Sequence, residues 1–329
     1  MNIYDIAKEA EVSISTVSRV LNNKNVTAEN RQKIEAAMRK YDYRPNAVAR
    51  GLVSKSMKTI GILSVDIRVP HYATTAYIME QEFSKAGYNV IVCSTGGKME
   101  NNRKYIQNLI GRQVDGILLI GSIFSQLQED QGIIDALSDI PVVLTNGRIN
   151  LPNSHAVMVN DEMGIELSVG HLAEKGHRDI VYIMDLATDS AIRKKKGYLF
   201  AMQQRSLENH IVSADAVYGI DGGRRAVKEL LAAGKTFSAI VCGEDLTAVG
   251  VIKELIEAGF RVPEDVAVIG YNNSDYSRIC TPELTTIDNK VQTFSLLSAQ
   301  LLRNLIEGEG DGVYASMVVE PELVVRQSS

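Results

Sequence analysis

Residues 3–22, IYDIAKEAEVSISTVSRVLN, carry the most specific pattern in the chain. Its apolar spacing predicts two short helices joined by a tight turn. Ser13 stands at the expected start of the second helix, where its hydroxyl can accept a hydrogen bond from a free amide N–H. Val17, Val20 and Leu21 fall at i, i+3 and i+4 and predict the buried side of that helix.

The opposite side of the second helix carries short polar groups and one guanidinium. At about 100° per residue, Ser15, Ser18, Arg19 and Asn22 lie on that side, with no carboxylate among them. Hydroxyls and an arginine that can reach guanine O6 and N7 suit the major groove of DNA. On spacing alone, a small amphipathic helical pair with a solvated face fits as well as a DNA-binding motif.

Charge is distributed unevenly along the 329 residues. The whole chain carries a net charge of −5. Residues 1–58 hold 11 Lys and Arg against 6 Asp and Glu, a net charge of +5, and the remainder holds 24 against 34, a net charge of −10. A basic head on an acidic body fits a local contact with DNA phosphates and a body that stays away from them. Chance asymmetry is the alternative.

Behind the helical pair, the pattern predicts a third helix and then an α/β body. Thr27 is the expected N-cap of the third helix, and the apolar residues of the helix close a headpiece over residues 1–44. From Thr59, runs rich in Val and Ile alternate with helical stretches, and this alternation restarts near residue 156. Such alternation indicates parallel sheets buried on both faces, here two doubly wound lobes with a cleft between them.

The stretch YDIAKEAEVSISTVSRVLN resembles the helix-turn-helix of the lactose-repressor family of bacterial transcription factors. The resemblance continues through RPNAVARGL at residues 44–52 and more diffusely to the C-terminus. It implies an all-α helix-turn-helix headpiece and a periplasmic-binding-protein-like α/β effector domain of two doubly wound parallel-sheet lobes. It also implies a homodimer on palindromic operator DNA, because no heptad-bearing tail follows the last strands.

The resemblance implies three segments. Residues 1–44 would be the headpiece, 45–57 a hinge helix and 58–329 the effector-binding and dimerisation domain. Lobe 1 would take about residues 58–159 and 289–316, and lobe 2 about 160–288 and 317–329. The hinge is too short to form a stable helix alone, and in the resembled family it folds on DNA.

DNA contacts are expected from both the headpiece and the hinge. Arg19 is the candidate for direct base readout and Ser15 for a weaker base contact, while Thr16, Ser18 and Asn22 are expected on phosphates. Leu52 matches the position at which the family wedges a leucine into a minor-groove base step. The remaining expected DNA contacts are Tyr4, Asn46 and Ala49.

Effector-binding residues are expected where strands end at the cleft. Asn272 stands where an aspartate is common, Lys194 where an arginine is common, and Glu244 where an asparagine is usual. Asp245 matches the family, and Tyr72 is the aromatic candidate for stacking on a sugar in a chain without tryptophan. The full expected set is Asp66, His71, Tyr72, Asn146, Lys194, Glu244, Asp245 and Asn272.

The basic run Arg193 to Lys196 could favour a sugar phosphate over a neutral sugar. A solvated helix start explains the same run equally well. The change from carboxylate to amide at Asn272 removes a charged acceptor, so no particular sugar or purine specificity carries over from the family.

The sequence contains no motif for catalysis, metal or cofactor binding. It lacks G-x-S-x-G, a phosphate-binding P-loop and H-E-x-x-H, and its five histidines do not cluster with Cys93, Cys242 or Cys280 at metal-ligand spacing. The expectation is a protein that is not an enzyme and has no cofactor. The start MNIYDIAKEA lacks the apolar core of a signal peptide, so a cytoplasmic, nucleoid-associated protein without membrane contact is expected.

The sequence therefore predicts a DNA-binding regulator, in particular a repressor of carbohydrate-utilisation genes controlled by a small molecule bound between two lobes. One alternative is a DNA-binding regulator controlled by a phosphoprotein coregulator. The other is a solute-binding protein without a role in transcription.

Overall fold

The computed structural model describes residues 3–21, 25–43, 56–184, 188–213, 219–308 and 316–329. The chain divides into two compact units, with the boundary between Thr59 and Ile60 and with residues 113–115 grouped with the first unit. Several predictions lie outside the described residues: the DNA contact of Asn22 and the hinge contacts of Asn46, Ala49 and Leu52. The alternation of the sequence also predicts a short strand over residues 215–218, which lies outside them too.

The described residues of the first unit form three helices, α1 (Ile3–Glu9), α2 (Ile14–Leu21) and α3 (Ala28–Lys40). The Ser13 hydroxyl accepts from the backbone N–H of Thr16 at 3.2 Å, and the Thr27 hydroxyl accepts from the N–H of Asn30 at 3.4 Å. Both predicted N-caps are confirmed, and each satisfies one otherwise free amide at a helix start.

One small core holds these helices together. Ile6, Val17 and Ile34 are fully buried, one from each helix, and Ala10 and Val20 are nearly so. Burying a side chain of this size stabilises a fold by about 1.5–3 kcal/mol. The apolar stripe of α2 therefore faces its neighbours and leaves its polar side exposed.

The described part of the second unit contains two sheets of mainly parallel strands, in which β12 pairs antiparallel with β10. Within the described residues, the first sheet has the strand order β11-β5-β4-β3-β1-β2 and the second has β12-β10-β9-β8-β6-β7. The strands of the first sheet are β1 (Thr59–Ser64), β2 (Asn89–Ser94), β3 (Gly116–Ile120), β4 (Val142–Thr145), β5 (Ser154–Val159) and β11 (Ser316–Val319). Those of the second are β6 (Ile180–Met184), β7 (His210–Ser213), β8 (Ala239–Cys242), β9 (Ala267–Tyr271), β10 (Thr285–Asp288) and β12 (Glu322–Val324).

Helices cover these sheets, as the alternation of the sequence predicts. They are α4 (Pro70–Lys85), α5 (Met99–Gly111), α6 (Gln131–Leu137), α7 (Asp161–Glu174), α8 (Asp189–Gln204), α9 (Ile220–Ala232), α10 (Asp245–Glu257), α11 (Tyr276–Ile279) and α12 (Val291–Glu307). Strands such as β3, β4 and β9 are buried along their whole length, which is why they are continuous runs of apolar residues. The predicted fold class is confirmed.

The chain passes between the lobes after β5, after β10 and after β11. Lobe 1 is built on the first sheet and lobe 2 on the second, so both lobes are discontinuous in sequence. Strand β11 pairs with β5 through Val319, and the first sheet therefore extends three residues past the expected end of lobe 1 at residue 316. Packing of β11 against an existing parallel edge sets this boundary, and local sequence does not show it.

Three further details differ from the predictions. The alternation of the sequence predicts one helix near residues 126–138. The structure has a 3-10 helix over Ser122–Glu129 followed by α6, because Asp130 interrupts the helix and caps α6 by accepting from the N–H of Ile133. The sequence pattern did not indicate β10 or α11.

Among the helices of the described ranges, none is long and apolar enough to span a membrane.

Candidate functional site

The exposed face of α2 is the candidate nucleic-acid interface. Ser15 and Arg19 are exposed, and Thr16 and Ser18 are half-buried. The Ser13 hydroxyl lies 2.7 Å from that of Ser15 and 2.8 Å from that of Thr16, so the helix start presents a connected set of hydroxyls. Tyr4 on α1 is 65 % exposed. The predicted DNA-binding residues that the structure describes are therefore accessible. The buried side of α2 is formed by Val17 and Val20.

A cavity of about 330 Å³ lies between the two lobes, at the carboxyl ends of their strands. Ligands of open parallel sheets bind at this edge, where backbone and side-chain polar groups converge. The structure brings seven of the eight predicted effector residues to the lining: Asp66, His71, Tyr72, Asn146, Lys194, Glu244 and Asn272. Its volume suits a ligand of the size of a sugar.

Asp66 and Arg68, which both line the cavity, form an ion pair. Its carboxylate accepts from Nε of Arg68 at 3.0 Å and from Nη2 at 2.6 Å. These hydrogen bonds lower the pKa of Asp66, and the charges of the two side chains offset one another. The Arg68 side chain is 88 % exposed, so this pair faces solvent on its arginine side.

The basic run on α8 separates into inward and outward residues. Lys194 is 7 % exposed, donates from Nζ to the carbonyl of Gly243 at 2.8 Å, and lies 3.7 Å from the ring centroid of Tyr271. Lys196 is exposed, as the solvated alternative expected. Cation–π contact and one carbonyl partly replace the hydration that the buried ammonium of Lys194 loses.

Arg193, which the sequence reasoning placed only in the basic run, lies in a network that joins the lobes. Its Nη2 donates to Asp161 Oδ2 at 2.9 Å and to the backbone carbonyl of Asn146 at 2.8 Å. Asp161 is fully buried and also accepts from the hydroxyls of Tyr271 and Ser190. Arg193 therefore bonds the end of β4 in lobe 1 to helices α7 and α8 of lobe 2.

Asn146 belongs to this network as well as to the cavity lining. It has a φ of 59° just after β4, and its Oδ1 accepts from the N–H of Val159 at 3.0 Å. Its Nδ2 lies 3.3 Å from Asp161 Oδ2. Asparagine tolerates this left-handed backbone better than most residues, which gives position 146 a structural role that the sequence reasoning missed. The one signal for Asp161 was an acidic residue at the start of a helix.

His71 and Tyr72 occupy the first turn of α4 with their rings 5.5 Å apart. Burial and the nearby charge of Lys194 lower the pKa of His71 to about 4, so the imidazole is neutral at physiological pH. Burial also raises the pKa of the Tyr72 hydroxyl above its ordinary value, which keeps it a neutral donor and acceptor. The cavity wall at this point offers hydrogen bonds without charge.

The structure places Asp245 differently from the prediction. Its carboxylate is buried behind the cavity and accepts from the N–H of Ser274 at 2.7 Å, from the Ser274 hydroxyl at 2.8 Å and from the Thr286 hydroxyl. Both oxygens are occupied by these bonds. Asp245 therefore fastens the loop after β9 to β10, and it does not line the cavity as an effector contact.

Asp245→Asn is expected to flatten the pH dependence of stability. Burial raises the pKa of Asp245 from 3.8 to about 7, so folding favours the protonated carboxyl. The contribution of Asp245 to the free energy of unfolding is therefore complete below pH 4 and is lost as the pH rises to 7. Between these limits the free energy of unfolding falls by at most about 1.4 kcal/mol per pH unit. Urea unfolding from pH 4 to 8 measures this slope. Equal pH dependence of stability in wild type and Asp245→Asn would refute this role of Asp245. The control is Asp275→Asn, which changes an exposed aspartate.

Within the described ranges, no group of three His, Cys, Asp or Glu side chains is arranged to hold a metal ion. Cys242 is buried and Cys93 and Cys280 are half-buried, all with free thiols. The chemistry of the cavity is that of binding: its walls carry aromatic and amide groups, one buried lysine, the Asp66–Arg68 ion pair and the carboxylate of Glu244.

Two family models and a full-length relative show the family of the chain. A model for bacterial regulatory proteins of the lacI family matches residues 2–46, and a model for a periplasmic binding protein-like domain matches residues 169–329. A transcriptional regulator of the helix-turn-helix type from Lachnoclostridium phytofermentans is 33 % identical over 334 aligned residues, covering 100 % of this chain and 99 % of that protein. The chain belongs to the lacI family.

Further regulators are similar to this lacI-family chain over its whole length. Catabolite control protein A of Priestia megaterium is 32 % identical and covers 100 % of the chain, with 99 % of that protein aligned. A lac repressor dimer, solved with operator and the anti-inducer ONPF, has a TM-score of 0.86 against this structure at 25 % sequence identity. The alignment covers 100 % of this chain and 98 % of the lac repressor chain. These relatives are regulators rather than enzymes, and this chain is likewise a DNA-binding transcriptional regulator.

Proposed function

We propose that this lacI-family regulator represses genes of carbohydrate utilisation and that its effector is a small hydroxylated molecule bound between the lobes. The observation that carries the proposal is the cavity itself, with a tyrosine, planar amides and a buried lysine on its walls. Sugars present many hydroxyls and an apolar ring face, which such walls complement. A similar protein, 31 % identical, is named the ribose operon repressor of Halalkalibacterium halodurans.

We also propose how the DNA is bound. A homodimer would place α2 of each copy in the major groove of a palindromic operator, with Arg19 and Ser15 on base edges. Thr16, Ser18 and Asn22 would contact phosphates, and Tyr4, Asn46 and Ala49 would add contacts along the backbone. Leu52 of each hinge would enter the minor groove. Such a protein would work in the cytoplasm, on the nucleoid.

Arg19→Ala is expected to weaken operator binding by about 1–3 kcal/mol, or roughly 5- to 150-fold, and to relax preference at one base pair. Arg19 is exposed on α2, and within the described residues it pairs with no carboxylate. Fluorescence anisotropy with an operator selected from a random DNA pool measures the effect.

Lys85→Ala is the control, because it removes one positive charge from the second unit, where Lys85 pairs with Glu82. Direct readout by Arg19 would be contradicted if the two variants weakened binding equally, or if base preference stayed unchanged in Arg19→Ala.

A thermal-shift panel tests the effector. The full-length protein is screened against neutral mono- and disaccharides, sugar phosphates and nucleobases. At 100 times its Kd, a ligand stabilises the protein by about 2.7 kcal/mol, which corresponds to several degrees in Tm. A shift with a sugar that is lost in Lys194→Met and retained in Lys196→Met supports the site. If no small molecule shifts Tm, the sugar-effector proposal fails and control by a phosphoprotein coregulator is favoured.

A further inference from the structure

One wall of the cavity is a pair of asparagine amides. Asn289 donates from Nδ2 to Oδ1 of Asn272 at 2.8 Å, and both side chains line the cavity although they are only 3 % and 9 % exposed. The same Nδ2 lies 3.5 Å from Nδ1 of His71. Oδ1 of Asn289 is buried and has no hydrogen-bond partner. A buried amide oxygen without a partner is uncommon in folded proteins and calls for an explanation.

The pair leaves a fixed set of free groups. Each amide has one oxygen acceptor and one NH₂ donor. The bond between them uses the oxygen of Asn272 and a hydrogen of Asn289, so the oxygen of Asn289 and the nitrogen of Asn272 remain for a ligand. Turning both amides over exchanges the two roles and again leaves one acceptor and one donor. The result is therefore independent of how the amide groups are assigned.

A hydroxyl matches this set, because it donates and accepts at once. A carboxylate or phosphate oxygen only accepts, and it would leave the buried amide oxygen unpaired. An ammonium only donates, and it would face the amide N–H without an acceptor. An aspartate at position 272, as is common in the resembled family, would offer acceptors alone. The amide in this chain therefore changes which ligand group fits the wall.

The neighbouring charges do not alter this requirement. His71 is neutral at physiological pH, since its pKa is lowered to about 4. The ammonium of Lys194 contacts the carbonyl of Gly243 and the ring of Tyr271, and the charge of Asp66 is offset by Arg68. Glu244 also lines the cavity, and its negative charge works against an anionic ligand group. The wall formed by Asn272 and Asn289 is itself neutral.

We propose that the Asn272–Asn289 pair selects a neutral ligand hydroxyl, which donates to one amide and accepts from the other, and so excludes anionic or cationic groups at that point. This inference rests on the proposed function and narrows its ligand class to polyols whose recognised position is an unmodified hydroxyl. The two residues act as specificity determinants for the effector.

The test uses calorimetric titration of the full-length protein. The probes are D-glucose, D-galactose, D-mannose, D-ribose and cellobiose, followed by the monodeoxy analogues of the tightest binder. In wild type, removal of one particular hydroxyl is expected to weaken binding at least about tenfold. In Asn289→Leu, which replaces the amide by an apolar group of similar size, the same analogue and its parent are expected to bind within about threefold of each other.

Asn272→Gly provides a second variant. It removes the other amide while tolerating the φ of 104° at this position, so it remains informative if Asn289→Leu does not fold. Exposed Asn108→Leu on α5 is the control and is expected to keep the tenfold discrimination.

Two results would overturn the inference, and they differ in reach. Discrimination that persists in both amide variants removes the inference and leaves the sugar-effector proposal standing. Absence of binding by all five sugars removes the sugar-effector proposal together with the inference.

Discussion

Deletion of residues 1–57 is expected to leave a folded protein that has lost specific DNA binding. The core of the first unit is built from residues between Ile6 and Ala37, while the cores of the second unit use residues from Ile60 onward. Each set of apolar side chains is buried within its own unit. Removal of the first unit should therefore expose little of the second unit's core.

The expected loss of affinity is large. Specific DNA binding typically exceeds non-specific binding by about a thousandfold or more. The truncated protein should fall to the non-specific level or below it, because a net charge of −9 remains from residue 58 onward. Anisotropy with a selected operator measures the affinity, and circular dichroism with sugar-dependent Tm shifts measures the fold. Full-length protein in parallel is the control. Specific binding by the truncated protein would contradict the assignment of DNA binding to the headpiece.

Arg193→Met is expected to destabilise the second unit by about 3–5 kcal/mol, since it leaves a buried carboxylate without its ion partner. Asp161 is fully buried, and the Arg193 side chain is only 19 % exposed. The hydrogen bonds of Asp161 to Tyr271 and Ser190 remain, but they carry no opposite charge. Urea unfolding measures the loss, and the exposed Lys196→Met on the same helix should change stability little.

A double variant separates the ion pair from simple loss of packing. Asp161→Asn combined with Arg193→Met removes both charges and should recover much of the stability that Arg193→Met alone loses. Additive losses in the double variant would show that the two side chains do not depend on one another. Because Arg193 also bonds Asn146 in lobe 1, the single variant should further weaken the effect of a sugar on operator binding.

Local periodicity was enough to predict most of the fold. Helix α2 has its N-cap and its apolar stripe within a few consecutive residues, and strands β3 (GILLI) and β9 (AVIGY) are short buried runs of mostly apolar residues. These features depend on neighbours in sequence, so spacing reveals them. Strand β10 has the sequence TTID and is a strand because β9 and β12 flank it. Nothing local to those four residues indicates this pairing.

The site was predictable only in outline. Polar residues just after strands, such as Asn146 and Asn272, could be assigned to the cleft, because parallel strands end at one edge. The partners of each side chain come from distant segments, and their geometry was not readable. Asp161 and Arg193 are 32 residues apart and meet only through the packing of α7 on α8. Asp245 has the position expected for a ligand contact, yet its oxygens are used by Ser274 and Thr286.

We propose that the ligand site and the DNA site of this chain are thermodynamically linked, so that each ligand changes the affinity for the other. The most direct measurement is the operator Kd of the full-length protein with and without a saturating sugar from the panel. A change of about 5- to 150-fold is expected, corresponding to a coupling of about 1–3 kcal/mol, and saturating operator should change the sugar's Kd by the same factor. An operator Kd that stays constant while calorimetry shows the sugar fully bound would contradict that linkage.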